Sequence, residues 1–118
     1  MSGQLTTHVL DTANGRPAAD VRIELASLAG DTPTVLKEVR TNANGRTDEP
    51  LLSGDAFEPG RYVLLFHVGD YFRASGATLS DPAFLEVVPV QFGIANAEAH
   101  YHVPLLVSPW SYSVYRGS

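Results

Sequence analysis

Four histidines and one crowded run of residues near the carboxyl end hold the side chains of this sequence that could do chemistry at neutral pH. Imidazole is the side chain whose ordinary pKa, about 6.5, lets it take up and return a proton there. His100 and His102 are two residues apart, so on a strand both leave the same face. Together with His8 they could ligate zinc or handle protons, although a histidine on a strand is more often a plain structural residue. His100 could also orient His102 or contact an adjacent strand, and His67, after the apolar run Val63–Phe66, reads as a strand-end residue. Arg16 and Arg46 each follow an Asn-Gly pair. Such an arginine is by default a solvated turn residue, with Asp48 and Glu49 available to Arg46 as surface partners worth about 0–1 kcal/mol. It can equally be a permanent cation that holds a carbonyl oxygen and favours developing negative charge. The last nineteen residues, His100–Ser118, add Trp110, Tyr112, Tyr115 and Arg116 in a region that most domains let fray. That concentration predicts a tail that is held in place and used.

Composition narrows what these groups can act on. A chain of 118 residues is long enough for one real core and too short for two, so a single domain over residues 1–118 is expected. The formal charge of −5 argues against nucleic acid, which calls for a basic surface. With no cysteine there is no disulfide framework, thiolate nucleophile or cysteine zinc site, and a reducing compartment is compatible. The stretch Met1–Thr7 lacks the basic and long apolar segments of a secretory signal, and no apolar run approaches the ~20 residues of a membrane helix. A soluble protein is expected, with no membrane partner and with the cytoplasm as its default compartment.

The elements that must position the candidate groups are strands. Short segments with period-two alternation or β-branched and aromatic enrichment recur at roughly ten-residue intervals, bounded by Gly, Pro, Asn and Asp, as in an all-β sandwich. About eight strands are expected, near Leu5–Leu10, Val21–Leu28, Val35–Thr41, Arg46–Glu49, Arg61–Val68, Leu85–Ile94, His100–Val107 and Ser111–Arg116, with a short helix within Tyr71–Ser80. Asn14-Gly15 and Asn44-Gly45 mark tight turns, because both residue types tolerate positive φ. In the first strand Thr6, His8 and Leu10 share a face. In the seventh, His100, His102, Pro104 and Leu106 share a face, while Tyr101, Val103, Leu105 and Val107 form an apolar opposite face that predicts the core side. His8 and His102 therefore lie on the more polar sides of their strands, where a groove or a subunit interface could collect them.

Three blocks of this sequence resemble the transthyretin-related protein family, and specifically its enzymatic branch, the 5-hydroxyisourate hydrolases. The first is Leu5-Thr6-Thr7-His8-Val9-Leu10-Asp11 with Gly15-Arg16-Pro17-Ala18. The second is Thr41-Asn42-Ala43-Asn44-Gly45-Arg46, followed by Gly60–Phe66 and Tyr71-Phe72. The third is His100-Tyr101-His102-Val103-Pro104-Leu105-Leu106 through Tyr115-Arg116-Gly117-Ser118. The His-Tyr-His-Val-Pro block with the terminal Tyr-Arg-Gly-Ser separates the hydrolases from the hormone carriers. The one departure noted, Trp110 where a smaller residue or tyrosine is common, touches no catalytic position.

The resemblance implies a transthyretin-like (prealbumin-like) β-sandwich of seven to eight strands with one short helix. It also implies a homotetramer, a dimer of dimers with substrate grooves where the dimers face each other, and a final strand whose Tyr115 closes the channel into shallow pockets. The implied reaction is hydrolysis of 5-hydroxyisourate to 2-oxo-4-hydroxy-4-carboxy-5-ureidoimidazoline, a cyclic amide hydrolysis of purine (urate) catabolism, without a cofactor or metal. The resemblance carries over His8, Arg46 and His102 as catalytic, with His102 as the principal water activator, and Tyr115, Arg116 and Ser118 as substrate contacts. Relatives occupy cytoplasm, peroxisome and periplasm. Two other readings stand beside this one: a zinc site on His8, His100 and His102, and a non-enzymatic small-molecule carrier on the same sandwich.

Overall fold

A computed structural model describes residues 2–117 and shows two sheets packed face to face. Nine strands build them: β1 Gln4–Asp11, β2 Arg16–Pro17, β3 Arg22–Ser27, β4 Thr34–Arg40, β5 Leu52–Ser53, β6 Gly60–Phe66, β7 Val88–Ile94, β8 His100–Val107 and β9 Tyr112–Val114, with one helix, α1, at Val68–Ala74. The first sheet runs β2-β1-β8-β9, with β5 pairing the start of β1, and the second runs β4-β3-β6-β7. The all-β sandwich expected from the alternation is the one observed. Among the described residues no helix is long and apolar enough to cross a membrane.

β1 and β8, nearly a hundred residues apart in sequence, lie side by side and parallel at the centre of the first sheet, from Gln4 opposite His100 to Asp11 opposite Val107. Their odd-numbered residues face inward. Leu5, Val9, Leu105 and Val107 are almost fully buried, with Tyr101 and Val103 nearly so. Each such side chain removed from water stabilises the fold by roughly 1.5–3 kcal/mol, and a one-residue slip would turn that whole set outward. Burial thus fixes the register that sets the outward-facing histidines beside one another. Thr7, on the inward face, donates its hydroxyl to the Val103 carbonyl at 2.7 Å. Pro104 sits just before the β9 ladder, which spans Leu105–Val107, and so its missing N–H interrupts no bond there.

Three sequence expectations need correction. Arg46–Glu49 is irregular rather than a strand, because Asn42 and Gly45 close a turn whose purpose appears below; the short strand pairing β1 comes later, at β5. The helix starts at Val68 and stops at Ala74 instead of covering Tyr71–Ser80. Val68, Tyr71 and Phe72 have helical spacing and are the buried face, and Gly76 at φ 97° leaves helical space. The outer strands β7 and β9 are shorter than read, since Leu85–Val87, Ser111, Tyr115 and Arg116 lie outside them.

Asp11 ends β1 inside the structure at 1% exposure. Its carboxylate accepts from the Ala13 and Asn14 amides at 3.0 and 2.9 Å, the Asn14 side chain at 2.7 Å and the Tyr71 hydroxyl at 2.7 Å. Burial pushes this carboxyl up, but the bonds from Asn14, Tyr71 and the backbone outweigh it and hold the pKa below the usual range. One charge thereby closes the Asn14-Gly15 turn and ties α1 to the histidine-bearing strand.

Candidate active site

Parallel pairing sets Thr6 opposite His102 and His8 opposite Pro104, so His8 and His102 are diagonal neighbours on the outward face of one sheet. Between the histidines of β8 stands Thr6. Its Oγ1 lies 2.8 Å from Nε2 of His100 and 2.8 Å from Nδ1 of His102. The described residues form no hydrogen bond with Nε2 of His102, which leaves that nitrogen for a ligand.

Arg46 arrives from the turn that follows β4. Gly45, at φ 75°, lets the chain reverse, and the Asn42 side chain collects the amides of Asn44 and Arg46 at 2.9 and 3.2 Å. The turn then docks on β1 twice. The Gly45 carbonyl accepts the Val9 amide at 2.8 Å, and the Asn44 carbonyl bonds Nε2 of His8 at 2.9 Å. A Cβ at Gly45 would fall 2.4 Å from the Val9 oxygen, so no other residue permits this approach. A carbonyl only accepts; His8 must therefore carry its proton on Nε2, with the lone pair on Nδ1.

The electrostatics lower the pKa of both imidazoles. His8 is held below its usual range by burial first and then by the Arg46 cation, against the opposing pull of the Asn44 carbonyl. His102 is lowered by burial, then by Arg46, His100 and His8. Arg46 forms no ion pair among the described residues, and Asp48 takes the Asn42 amide at 3.0 Å instead. The alternative of a surface pair with Asp48 or Glu49 is thus not what the described residues show: no carboxylate among them pairs with Arg46. A cavity of about 400 Å³ opens here, walled by Thr6, Arg46, Asp48, Glu49, His100 and His102. Bases with free lone pairs next to an unpaired cation can deprotonate water and hold the oxyanion its attack creates.

The tail reaches the same place. Gly117 donates its amide to the His102 carbonyl at 2.7 Å, and a Cβ there would lie 2.8 Å from Cδ2 of the His102 ring. Arg116 stacks its guanidinium 4.0 Å above the Tyr101 ring and donates to the His100 carbonyl at 3.4 Å. Tyr115 is 57% exposed, and neither it nor Arg116 walls the cavity of a single chain. Ser118 lies outside the described residues. His67 is bound by Glu24 at 2.7 Å, and no group of three His, Cys, Asp or Glu side chains among the described residues is arranged to hold a metal ion. A larger cavity of about 590 Å³ is lined in part by Arg16, Arg22, Arg40 and His67; Glu38 and Asp20 pair with Arg22 and Arg40, and Glu24 bonds the His67 ring.

Sequence reading missed Thr6, the Asn44 carbonyl and the contact of Gly117 with His102. Thr6 did share a face with His8 in the predicted strand, and the parallel partner that gives that face its meaning has no local signal.

Comparison with known proteins places the chain among relatives. Residues 5–117 match the model of the HIUase/Transthyretin family. The chain is 60% identical over 117 residues to 5-hydroxyisourate hydrolase 2 of Rhizobium meliloti (strain 1021), covering 99% of this chain and 98% of that one. Among solved structures it superposes on Klebsiella pneumoniae 5-hydroxyisourate hydrolase with a TM-score of 0.80 and 32% identity, over the whole of both chains. It superposes on (S)-allantoin synthase with a TM-score of 0.92 and 48% identity, covering 98% of this chain while spanning only 44% of that longer one.

Proposed function

The chain belongs to the HIUase/Transthyretin family, and from that premise we propose that it hydrolyses 5-hydroxyisourate to 2-oxo-4-hydroxy-4-carboxy-5-ureidoimidazoline, the step of purine breakdown that follows urate oxidation. It is a hydrolase acting on a cyclic amide. Ring opening requires water to attack an acyl carbon. In this reading the free Nε2 of His102 takes a proton from water as its oxygen bonds to that carbon, and Arg46 holds the carbonyl oxygen as it becomes an oxyanion. Collapse of the tetrahedral species breaks the ring C–N bond, and the leaving nitrogen takes the proton that His102 holds. His8, its Nε2 proton committed to Asn44, keeps a lone pair on Nδ1 to accept a hydrogen from water or substrate. Nothing in these steps calls for a metal.

The observation that carries this reading is the double docking of the Asn44–Arg46 turn on β1, beside the parallel β8. It brings Arg46 and His102 from distant segments to one polar cavity, with His8 outside its walls but diagonal to His102 on the same sheet face. A carrier of apolar ligands has no use for walls of threonine, imidazole, guanidinium and carboxylate. The test generates 5-hydroxyisourate with uricase and follows its ultraviolet decay with wild type, His102→Asn, His8→Asn and Arg46→Gln. Wild type is expected to accelerate the decay and each variant to lose most of that acceleration; three variants with wild-type rates would remove the assignment.

We assign the working form to a homotetramer, a dimer of dimers. The two sheets end in β7 and β9, which have no outer neighbour among the described strands, and open edges of this kind invite pairing with another copy. Near them Phe84 and Trp110 stand 69% and 60% exposed with ring centroids 6.5 Å apart. Tyr115, Arg116 and Ser118 are then substrate contacts that a neighbouring subunit brings to the groove. Cell fractionation is expected to recover the protein with the cytoplasm, a compartment that suits a chain without cysteine.

A further inference from the structure

The hydroxyl of Thr6 sits between two imidazole nitrogens at equal distances of 2.8 Å, and it has one hydrogen to give. When it donates to one ring, the nitrogen of the other must donate to it. Among neutral rings only two arrangements satisfy both bonds. In the first, Nδ1–H of His102 donates to Thr6 and Thr6 donates to Nε2 of His100, so that Nε2 of His102 bears a lone pair and is a base. In the second, Nε2–H of His100 donates to Thr6 and Thr6 donates to Nδ1 of His102, so that Nε2 of His102 bears the proton and is an acid. The hydroxyl therefore couples the tautomer of the ring that faces the cavity to the state of its exposed neighbour.

From this geometry we infer that Thr6 and His100 form a proton relay behind His102, storing on the exposed imidazole the charge created when water is activated. The relay rests on the proposed hydrolysis and specifies how His102 serves as base and then as acid. During attack an O–H bond of water breaks and its proton bonds to Nε2 of His102. In the same displacement Nδ1–H of His102 passes to Thr6 Oγ1, and the original Thr6 proton passes to Nε2 of His100. His102 ends neutral with its proton on Nε2, and His100 ends as an imidazolium. When the ring C–N bond breaks, the leaving nitrogen takes the Nε2 proton, and the two transfers run backwards to restore His102 as a base. Every proton is accounted for, and Thr6 never becomes a free alkoxide because it receives one proton as it gives another.

Placement explains why such a relay is useful. His102 is half-buried beside Arg46, and burial together with that cation opposes a charge on it. His100 is exposed, so water solvates a charge parked there, and Asp48 and Glu49 line the same cavity. Thr7, adjacent in sequence, commits its hydroxyl to a backbone carbonyl, whereas Thr6 spends its hydroxyl on two titratable rings.

Thr6 and His100 are positioning residues in this scheme, and the test separates a relay from a prop. Positioned proton transfer contributes about 10²- to 10⁴-fold to a rate. Thr6→Val, which keeps the shape and removes the hydroxyl, is expected to lower kcat about ten- to a hundredfold at nearly constant KM, and Thr6→Ser to restore most of it. His100→Ala leaves the Thr6–His102 bond in place, so a prop would tolerate it; the relay predicts a loss of about tenfold or more in dilute buffer that added imidazole reverses. Wild-type kcat in Thr6→Val, or in His100→Ala without imidazole, overturns the proposal. A readout independent of turnover uses protein labelled with ¹⁵N-histidine: titrating His100 is expected to shift the His102 ring nitrogens in wild type and not in Thr6→Val. Wild-type protein that shows this coupling but does not accelerate decay of 5-hydroxyisourate refutes the assigned substrate and leaves the relay standing. Active protein without the coupling refutes the relay alone.

Discussion

Gly117→Ala adds one methyl group at the point where the tail meets the active imidazole. Its carbon would lie 2.8 Å from Cδ2 of His102 and 3.4 Å from the Cβ and Cγ of the same residue. Carbon atoms pack at about 3.5–4.0 Å, so something must retreat by about 0.7 Å. Two candidates exist. The tail is held by its backbone, through the Gly117 amide on the His102 carbonyl at 2.7 Å and the bridge between the two residues. The ring is held on Nδ1 by the single bond to Thr6, and a rotation about χ1 or χ2 moves it without disturbing the sheet. The ring is therefore expected to yield, stretching the Thr6 bond and turning Nε2 away from the water. A misplacement approaching 1 Å costs up to about 10²-fold, and a loss of about ten- to a hundredfold in kcat is expected. Gly117 does not have positive φ, so alanine adopts its backbone without strain, and the melting temperature should stay within about 2 °C of wild type because no core contact changes. Gly15→Ala is the control: its φ of 67° costs stability by roughly 1 kcal/mol while its surroundings are open, so it should lower the melting temperature and spare kcat. The measurement is ultraviolet decay of freshly generated 5-hydroxyisourate alongside thermal unfolding. A Gly117→Ala protein with kcat within twofold of wild type would show that the tail gives way, and the account of a wedged imidazole would be wrong.

Arg46→Gln should change the pH profile as well as the rate. Removing the cation removes one of the influences that lower His8 and His102, so both rise and the acid limb of kcat/KM moves to higher pH, with kcat down about 10²–10³-fold as for a lost oxyanion donor; an unmoved limb in a rate–pH series contradicts the assignment. Tyr71→Phe deletes a buried donor to the Asp11 carboxylate, a charged hydrogen bond worth about 1.5–3 kcal/mol. Because Asp11 is held below its unfolded value, its contribution is present above that value and lost as pH falls through the folded one; losing a bond that lowers it raises the folded value, so acid unfolding should begin at higher pH in urea melts of the variant. Phe84→Asp places a charge in the exposed aromatic pair and should convert the sedimenting species from a tetramer to smaller forms with loss of activity; a tetramer of full activity argues against this face as a subunit contact.

How much of this was legible in the sequence depends on the range of the interactions. Alternation along β1 and β8 correctly divided inward from outward residues, because burial on one face is a strictly local signature. Asn44-Gly45 was legible as a turn because its backbone demands glycine. The strand expected at Arg46–Glu49 failed for a related reason: the Asn42 side chain satisfies the amides that a ladder would have used, and local side-chain bonds compete directly with strand pairing. The helix begins earlier than expected because Val68 starts the buried stripe that Tyr71 and Phe72 continue. Thr6 was invisible as a functional residue since its role depends on a parallel partner 96 positions away, and nothing within a strand announces which strand will lie beside it.

The same dependence explains why three positively inclined groups can stand close together. Arg46 penalises protonation of His8 and His102, so the folded protein gives up the stability that charged imidazoles would draw from any carboxylate partner. That arrangement persists only because it is anchored elsewhere. The turn carrying Arg46 is latched to β1 by two bonds, and β1 is latched to the core by its odd-numbered residues and to α1 by Asp11. An arginine placed here by a loose loop would swing toward Asp48 or Glu49 and form an ordinary surface pair, leaving the imidazoles free to protonate. The latches are therefore part of the chemistry. Asn42→Ala, which removes the side chain that collects the Asn44 and Arg46 amides and also releases Asp48, should raise KM and move the acid limb upward in the manner of Arg46→Gln, though by less. If Asn42→Ala lowers only the melting temperature and leaves the pH profile in place, the guanidinium finds its position without the turn, and the link from turn geometry to imidazole basicity fails.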